Sequence, residues 1–266
     1  MGKQLLVRNV WAHNIAMEFE VISYVLSRYK FVSMDTEFPG VLFPPSNPKA
    51  LSPSDKYAFL KRNVDSLKII QLGLTLSDSD GNLPDLRTNY CYIWQFNFRD
   101  FDPDLDAHNP DSISLLREHG IKFDSNRIRG IDSAVFASHM FSSGLLCDSS
   151  VVWVTFQGGY DFGYLMKIIT RKCLPASLDE FLEAICFLFG DSVYDVKHMT
   201  RFCVGLQGGL ERVAKALEVE REVGDCHQAG SDSLLTWRAF KKLCDSCLPE
   251  EEMAVFADIV HGLVVV

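Results

Sequence analysis

The sequence predicts an α/β protein in which a mixed sheet is flanked by helices. Of the 266 residues, 47% are apolar and 23% are charged, a balance typical of soluble globular chains large enough to bury a core. Short apolar and β-branched segments dominate the first hundred residues, and helical periodicity dominates the remainder. No repeat and no Ser/Gly-rich or Pro-rich linker divides the chain, so we expect one domain over residues 1–266.

Predicted helices and strands alternate in the first half of the chain. Apolar residues at three- and four-residue steps predict a helix over 14–28, whose apolar face we expect to pack on its own sheet. The apolar segment at 31–37 predicts a buried strand. The other expected elements are a helix at 55–66, strands at 68–76 and 90–96, and helices at 110–119 and 129–141.

The second half is predicted to be mostly helical. A strand over 151–156 is expected to turn at the glycine pair 158–159 into a helix that ends near Arg171. Pro249, followed by three glutamates, is typical of a helix start, because proline fits the first turn and acids compensate the positive end of the helix dipole. Further helices are expected at 178–189, 210–217 and 229–247.

Charge and hydropathy restrict the possible functions. The net charge is −9, which argues against a protein that holds nucleic acid through a broad basic face. A phosphodiester substrate would then need metal ions, held by carboxylates, to neutralise it. No stretch reaches the roughly 20 mostly apolar residues of a membrane-spanning helix, so we expect an intracellular protein without a membrane partner.

Eight cysteines are scattered along the chain. Most lie in apolar contexts, such as the Ile-Cys-Phe segment at 185–187, and in an intracellular protein this predicts buried free thiols. Cys244 and Cys247 form a CxxC pair, but a zinc site needs two further ligands, and only Cys226 and His227 lie near in the sequence. Packed helix thiols are therefore the preferred interpretation of the CxxC pair.

Asp35 and Glu37 lie two residues apart at the end of the strand predicted at 31–37. Residues i and i+2 point to the same face of a strand, with Cα atoms about 6.6 Å apart, so both carboxylates could reach one cation. Two bare carboxylates beside a core repel each other and resist desolvation, which a bound metal would offset. The alternative is a surface strand end with one acid paired to Lys or Arg.

Asp161 follows the strand predicted at 151–156 and opens the next helix. One interpretation is structural, because aspartate is a favoured residue at the N-cap of a helix. The other interpretation is functional, because α/β sheets gather their ligands just past the ends of their strands. The sequence around Asp161 leaves both interpretations open.

Asp232 lies in the first turn of the helix predicted at 229–247, and His227 lies on the loop before it. Compensation of the helix dipole would explain the aspartate, and an exposed loop would explain the histidine. Alternatively, the histidine could lie over the same site and take a proton from an attacking water. Together, the order Asp-x-Glu, Asp, His-x4-Asp is the residue set of a two-metal phosphodiesterase.

Several segments resemble a known family of nucleases. Three resemble the exonuclease motifs of the DEDD superfamily, in its histidine-containing DEDDh subgroup: MDTEFPG at 34–40, GGYDFGYL at 158–165 and HQAGSDSLLT at 227–236. Three more resemble the CAF-type (Pop-type) deadenylases, which are catalytic subunits of the CCR–NOT complex: NVDSLKIIQLGLT at 63–75, WQFNF at 94–98 and YDVK at 194–197. The likeness runs from about Val7 to Cys247.

This resemblance implies an RNase H-like fold, with helices on both faces of a mixed sheet. It also implies a 3′–5′ exoribonuclease that shortens mRNA poly(A) tails and releases 5′-AMP. Carried over residue by residue, Asp35 would bridge two divalent metal ions, Mg²⁺ or Mn²⁺. Glu37 and Asp232 would complete one metal site, Asp161 would complete the other, and His227 would be the general base.

The resemblance further implies poly(A) RNA, a large helical scaffold subunit and a second deadenylase subunit as partners, in the cytoplasm and nucleus. The loops at 43–54 and 77–88 depart from the typical family sequence, which concerns the substrate rim and partner contacts. Two other hypotheses are a DEDD nuclease for DNA or structured RNA, and a binding subunit with a relic site. The segments outside the three motifs count against the first, and the intact carboxylates and His227 count against the second.

Overall fold

The computed structural model describes residues 3–47, 50–248 and 250–264, and the strands in this part of the chain form one mixed sheet. They are β1 (Gln4–Val10), β2 (Phe31–Glu37), β3 (Gln71–Ser77), β4 (Tyr90–Asn97), β5 (Val152–Thr155) and β6 (Val193–Asp195). Their order across the sheet is β1-β4-β3-β2-β5-β6. β3 is antiparallel to both of its neighbours, and the other pairs are parallel.

Helices connect and cover these strands. They are α1 (Ile15–Leu26), α2 (Pro53–Ser66), α3 (Pro110–Glu118), α4 (Phe123–Arg129), α5 (Ser133–Ser142), α6 (Gly159–Thr170), α7 (Leu178–Phe189), α8 (Val196–Met199), α9 (Leu210–Ala216) and α10 (Ala229–Ser246), with 3-10 helices at Thr200–Phe202 and Glu250–Phe256. Side-chain caps mark the starts of several helices: Ser177 and Glu180 form a capping box at α7, for example. None of the described helices is long and apolar enough to cross a membrane.

The main apolar core lies on one face of the sheet. Val32 and Met34 of β2 are fully buried there. The prediction that the first helix packs its apolar face on its own sheet is confirmed, since five apolar residues of α1 belong to this core. They are Ile15, Phe19, Ile22, Val25 and Leu26.

The opposite face of the sheet is covered by α10, which contributes Leu234, Trp237 and Phe240 to a second apolar cluster and also forms a buried polar seam. The Ser33 hydroxyl on β2 donates a hydrogen bond to the backbone carbonyl of Ser233 at 2.6 Å, and the Thr75 and Ser233 hydroxyls lie 2.9 Å apart. Because side chains alternate along a strand, Asp35 and Glu37 share the face of Ser33. The alternation of β2 therefore directs both acids toward α10.

Gly73 of β3 allows α10 to approach the sheet this closely. A Cβ atom at this position would lie 1.9 Å from the carbonyl oxygen of Ala229, far inside van der Waals contact. Gly73 is also the register partner of Asp35 in the β2–β3 pair. The missing side chain therefore lets the first turn of α10, which carries Asp232, lie beside the end of β2.

The observed elements differ from the predicted ones in a few places. β1 and β6 were not predicted, because β1 is a largely half-exposed edge strand and β6 has only three residues. The helix predicted at 129–141 is present as α5 but begins later: α4 ends at Arg129, and the Asp132 side chain accepts a hydrogen bond from the backbone N–H of Ala134 at the start of α5. Pro249 lies outside the described residues, and the segment after it is a 3-10 helix.

The prediction of buried thiols is wrong. All eight cysteines are free; four are exposed and four are half-buried. Cys186 shows the reason. Helix α7 buries Ile185 and Leu188, whereas Cys186 is rotated about 100° from Ile185 around the helix axis and is exposed. Apolar sequence neighbours therefore do not bury a helical thiol.

Candidate active site

Asp35 and Glu37 lie inside the fold at the end of β2. Glu37 is buried and Asp35 is half-buried, so the pair is not a solvated strand end. Burial, followed by the negative charges of Asp232 and Asp161, holds the pKa of each carboxyl well above its usual range. The two groups accordingly favour either protons or a cation at neutral pH.

Asp161 is the third residue of α6 and not its N-cap, which is Gly158. Its buried carboxylate accepts a hydrogen bond from the Thr36 hydroxyl at 2.6 Å. Thr36 lies between the two acids of β2, so this bond ties the start of α6 to the end of that strand. Burial raises the pKa of Asp161 to about 7, against the lowering effect of the hydrogen bond from Thr36.

The turn that leads from β5 into α6 is held by Asp195, a buried residue of the YDVK segment whose role the sequence does not indicate. Its carboxylate accepts hydrogen bonds from the backbone N–H groups of Gln157 at 2.8 Å and Gly158 at 3.1 Å. It also accepts from the backbone N–H groups of Lys197 at 3.0 Å and His261 at 2.9 Å. The one sequence feature that could have pointed to this role is an aspartate placed between a strand and a helix.

Asp232 is buried in the first turn of α10, and His227 lies beside it. The backbone N–H of His227 donates to the Asp232 carboxylate at 3.0 Å. His227 adopts a left-handed backbone conformation, with φ of 57°, which is uncommon outside glycine and indicates a constrained turn. Possible ligand atoms of Glu37, His227 and Asp232 all lie within 4.8 Å of one another.

Arg221 is a residue of this site that no pattern in the sequence indicates. Its mostly buried guanidinium donates to the Asp232 carboxylate at 2.5 Å and also pairs with Glu211. Its positive charge lowers the pKa of Asp35, Glu37 and Asp232, in opposition to burial. Arg221 lies on the loop between α9 and α10, where the sequence has no periodicity that could have assigned it to the site.

The donor set fits a divalent cation that prefers oxygen. The carboxylates predicted from the sequence come together from β2, α6 and α10, and their raised pKa values reflect desolvation and mutual repulsion. A cation placed among them would remove that repulsion, and carboxylate oxygens are ligands that Mg²⁺ and Mn²⁺ favour. Chemically, the arrangement can neutralise a phosphodiester beside a histidine able to accept a proton.

Sequence comparison identifies relatives along nearly the whole chain. Residues 10–134 match the family described as CAF1 family ribonuclease. Probable CCR4-associated factor 1 homolog 10 of Arabidopsis thaliana is 45% identical over 259 residues, covering 97% of this chain and 92% of that protein. Poly(A) ribonuclease pop2 of Schizosaccharomyces pombe is 44% identical over 234 residues, covering 88% of this chain and 68% of that protein.

Solved structures share the fold. S. pombe Pop2p, in a form with Mg²⁺ and Mn²⁺ bound, has a TM-score of 0.87 at 40% identity, with 97% of this chain and 99% of that chain covered. Yeast CAF1, co-crystallised with the NOT1 MIF4G domain, has a TM-score of 0.79 at 31% identity, with 96% of each chain covered. Exonuclease I has a TM-score of 0.55 at 16% identity, over 85% of this chain and 42% of that one. These likenesses confirm the predicted RNase H-like fold.

Proposed function

The chain belongs to the CAF1 family of ribonucleases, and on that premise we propose that it is a 3′–5′ exoribonuclease that shortens mRNA poly(A) tails. A relative 44% identical to it is named poly(A) ribonuclease, which supports the substrate class. The observation that carries the chemistry is the convergence of buried acids and one histidine, from three separate elements, at one end of the sheet.

Four acids hold the metal ions in this proposal. Asp35 would contribute to both metal sites, Glu37 and Asp232 would complete one of them, and Asp161 would complete the other. Two divalent ions, Mg²⁺ or Mn²⁺, would supply positive charge to the attacking and leaving oxygens of the phosphodiester when bound. The Pop2p structure with Mg²⁺ and Mn²⁺ supports this choice of ions.

His227 acts as the general base. The attacking water loses its proton to the imidazole as its oxygen bonds to phosphorus. The bond from phosphorus to the 3′ oxygen of the preceding nucleotide breaks, and that oxygen takes a proton from solvent to become the new 3′ hydroxyl. The phosphate stays on the departing nucleotide, so the product is 5′-AMP. The hydrogen bond from the backbone of His227 to Asp232 positions the imidazole beside the acids.

The proposal includes assembly into the CCR–NOT complex, in the cytoplasm and nucleus, through a large helical scaffold subunit and beside a second deadenylase subunit. The co-crystal of yeast CAF1 with the NOT1 MIF4G domain supports the scaffold partner. A pull-down from extract should recover such a scaffold with the full chain. Failure to recover it would contradict assembly without affecting the proposed activity.

The activity is tested with 5′-labelled oligo(A) and Mg²⁺ or Mn²⁺, read on a denaturing gel beside oligo(C), single-stranded DNA and a structured RNA. We expect stepwise shortening of oligo(A) and none in EDTA.

Cleavage should be abolished by each substitution that removes a metal ligand: Asp35→Ala, Asp161→Ala and Asp232→Ala. Asp245→Ala, at the exposed far end of α10, is the matched control and should cleave normally. Preferential cleavage of DNA or structured RNA would contradict the substrate, and an active ligand variant would contradict that ligand.

His227→Asn tests the general base. The amide can hydrogen-bond to water but cannot take its proton, so we expect the cleavage rate to fall by about 10²–10⁴-fold. The carboxylates remain, so metal-dependent thermal stabilisation should persist. A rate change below about threefold, within the ordinary effect of a surface substitution, would remove His227 from the reaction.

A further inference from the structure

A second cluster of possible metal ligands adjoins the acids. Possible ligand atoms of His119, Cys226 and His227 all lie within 4.8 Å of one another. His119 Nδ1 is 3.3 Å from Cys226 Sγ and 3.4 Å from a carboxylate oxygen of Asp225. The Gln228 side chain donates to the carbonyl oxygen of His119 at 2.8 Å, which fixes the end of α3 against the loop before α10.

The two separations that involve His119 are close to those of a tetrahedral zinc site. With Zn–S near 2.3 Å and Zn–N or Zn–O near 2.0–2.1 Å, two ligands at the tetrahedral angle lie about 3.6 Å apart for nitrogen and sulfur. The corresponding nitrogen–oxygen separation is about 3.4 Å. The pairs that His119 makes with Cys226 and Asp225 therefore need shifts of only about 0.3 Å or less to share one ion.

The chemistry of the cluster differs from that of the neighbouring acids. Imidazole and thiolate ligands favour zinc over magnesium, whereas carboxylates alone favour the harder ion. The cluster is also open to solvent, since the His119 side chain is 24% exposed and that of Asp225 is 60% exposed. An ion can thus reach these ligands without passing through the acid site.

We propose that His119, Cys226 and His227, with Asp225 as the fourth ligand, form a zinc site, and that Zn²⁺ bound there inhibits hydrolysis. His227 belongs to both clusters, the one with Glu37 and Asp232 and the one with Cys226 and His119. A neutral imidazole with one nitrogen on zinc carries its proton on the other nitrogen, so it cannot accept the proton of the attacking water. The inhibitory part of the inference rests on the proposed role of His227 as general base, whereas the zinc site itself does not.

Cobalt is a direct probe of the site. Bound Co²⁺ gives a thiolate-to-metal charge-transfer absorption only when a cysteine is a ligand, so Co²⁺ among the acids is silent in this band. We expect the band in the full chain with saturating Mg²⁺, its loss in Cys226→Ser, and at least about tenfold weaker Co²⁺ binding in His119→Asn. Cys91→Ser, which changes a half-buried thiol of β4 outside the cluster, is the matched control and should keep the band.

Competition then tests whether the site inhibits. Zn²⁺ should displace Co²⁺ from the wild-type chain and inhibit oligo(A) cleavage at a concentration at least about tenfold lower than in Cys226→Ser. Without zinc, Cys226→Ser should cleave like the wild type.

No charge-transfer band, or the same band in Cys226→Ser, would overturn the site. Equal zinc sensitivity of the two proteins would overturn the inhibition. A band in a protein that does not cleave oligo(A) would support the site and contradict the proposed function.

Discussion

Arg221 lies among acids that must lose their protons before they can bind a metal ion. Its charge lowers the pKa of Asp232, which burial raises. Arg221→Gln should therefore raise that pKa and move the acid limb of the pH–rate profile upward by about one pH unit or more, with the rate recovering at alkaline pH. The profile is measured at fixed, subsaturating Mg²⁺.

Two variants control this prediction. Arg221→Lys keeps the charge and should move the limb much less, although it loses the planar pairing of guanidinium with carboxylate. Arg212→Gln removes an exposed basic residue of the neighbouring helix α9 and should leave the limb in place. An acid limb that stays fixed in Arg221→Gln would mean that this charge does not govern the ionisation of the site.

The sequence carried different amounts of information about individual residues. Asp35 and Glu37 were found because the two-residue period of a strand places both on one face, and β2 forms as predicted. His119 could not be found, because it lies 107 positions from Cys226 and meets it only through tertiary structure. Arg221 could not be assigned to the site because its contact with Asp232 depends on how a loop without periodicity folds.

At the scale of elements, the turn before α6 depends on Asp195. Asparagine in its place has one acceptor oxygen and an NH₂ group that faces backbone N–H donors. Asp195→Asn should therefore reduce the free energy of unfolding by about 1–3 kcal/mol, measured in urea. It should also lower the cleavage rate, because Asp161 is displaced with the turn. Asp132→Asn, a cap at the start of α5, is the control. A normal rate in Asp195→Asn would confine the role of Asp195 to stability.

The contact between β3 and α10 makes a second prediction. Gly73→Ala places a methyl group against the backbone of Ala229, so the first turn of α10 must move and carry Asp232 with it. We expect loss of cleavage and of metal-dependent stabilisation while the circular dichroism spectrum stays native. Gly209→Ala is the matched control, because its added methyl meets nothing within 4 Å. Normal cleavage by Gly73→Ala would show that the acids do not need this approach.

At the scale of the whole molecule, the buried acids link stability to pH and metal. The pKa of Asp161 rises from about 3.9 in the unfolded chain to about 7 in the folded one. The folded state therefore binds more protons between these values, and its stability falls as pH rises through this window. Metal binds the deprotonated acids, so Mg²⁺ should raise the melting temperature by about 5 °C or more at pH 8 and much less at pH 5.5.

The pH dependence of stability must be compared between the wild type and Asp161→Asn, because other titrating groups change stability with pH in the opposite direction. Burial lowers the pKa of His261 to about 4, so its contribution to stability grows as pH rises toward the value of an unfolded histidine. The free energy of unfolding of the variant is subtracted from that of the wild type at each pH, both in EDTA, and the difference isolates the contribution of Asp161. A difference that does not change between pH 5.5 and 8 would contradict the raised pKa.

Much of the architecture could be predicted because local patterns and the final fold agree. The helix at 178–189 has the predicted bounds, with a capping box at its start and Gly190 at its end. The edge strand β1 was not predicted because its conformation depends on its pairing with β4. The sequence of β1 alone does not specify that pairing. Tertiary pairing thus supplied what local periodicity lacked.

The bond between Ser33 and Ser233 spans 200 positions of the chain. At about 5–20 residues per second, a ribosome needs on the order of 10–40 s to make the segment between them. Contacts so distant along the chain are also slow to form, since their loop-closure entropy must be overcome first. A nascent chain therefore holds its first acids long before α10 exists to join them. The four acids can therefore meet only after α10 has been synthesised, so we expect the proposed activity to be absent from the nascent chain.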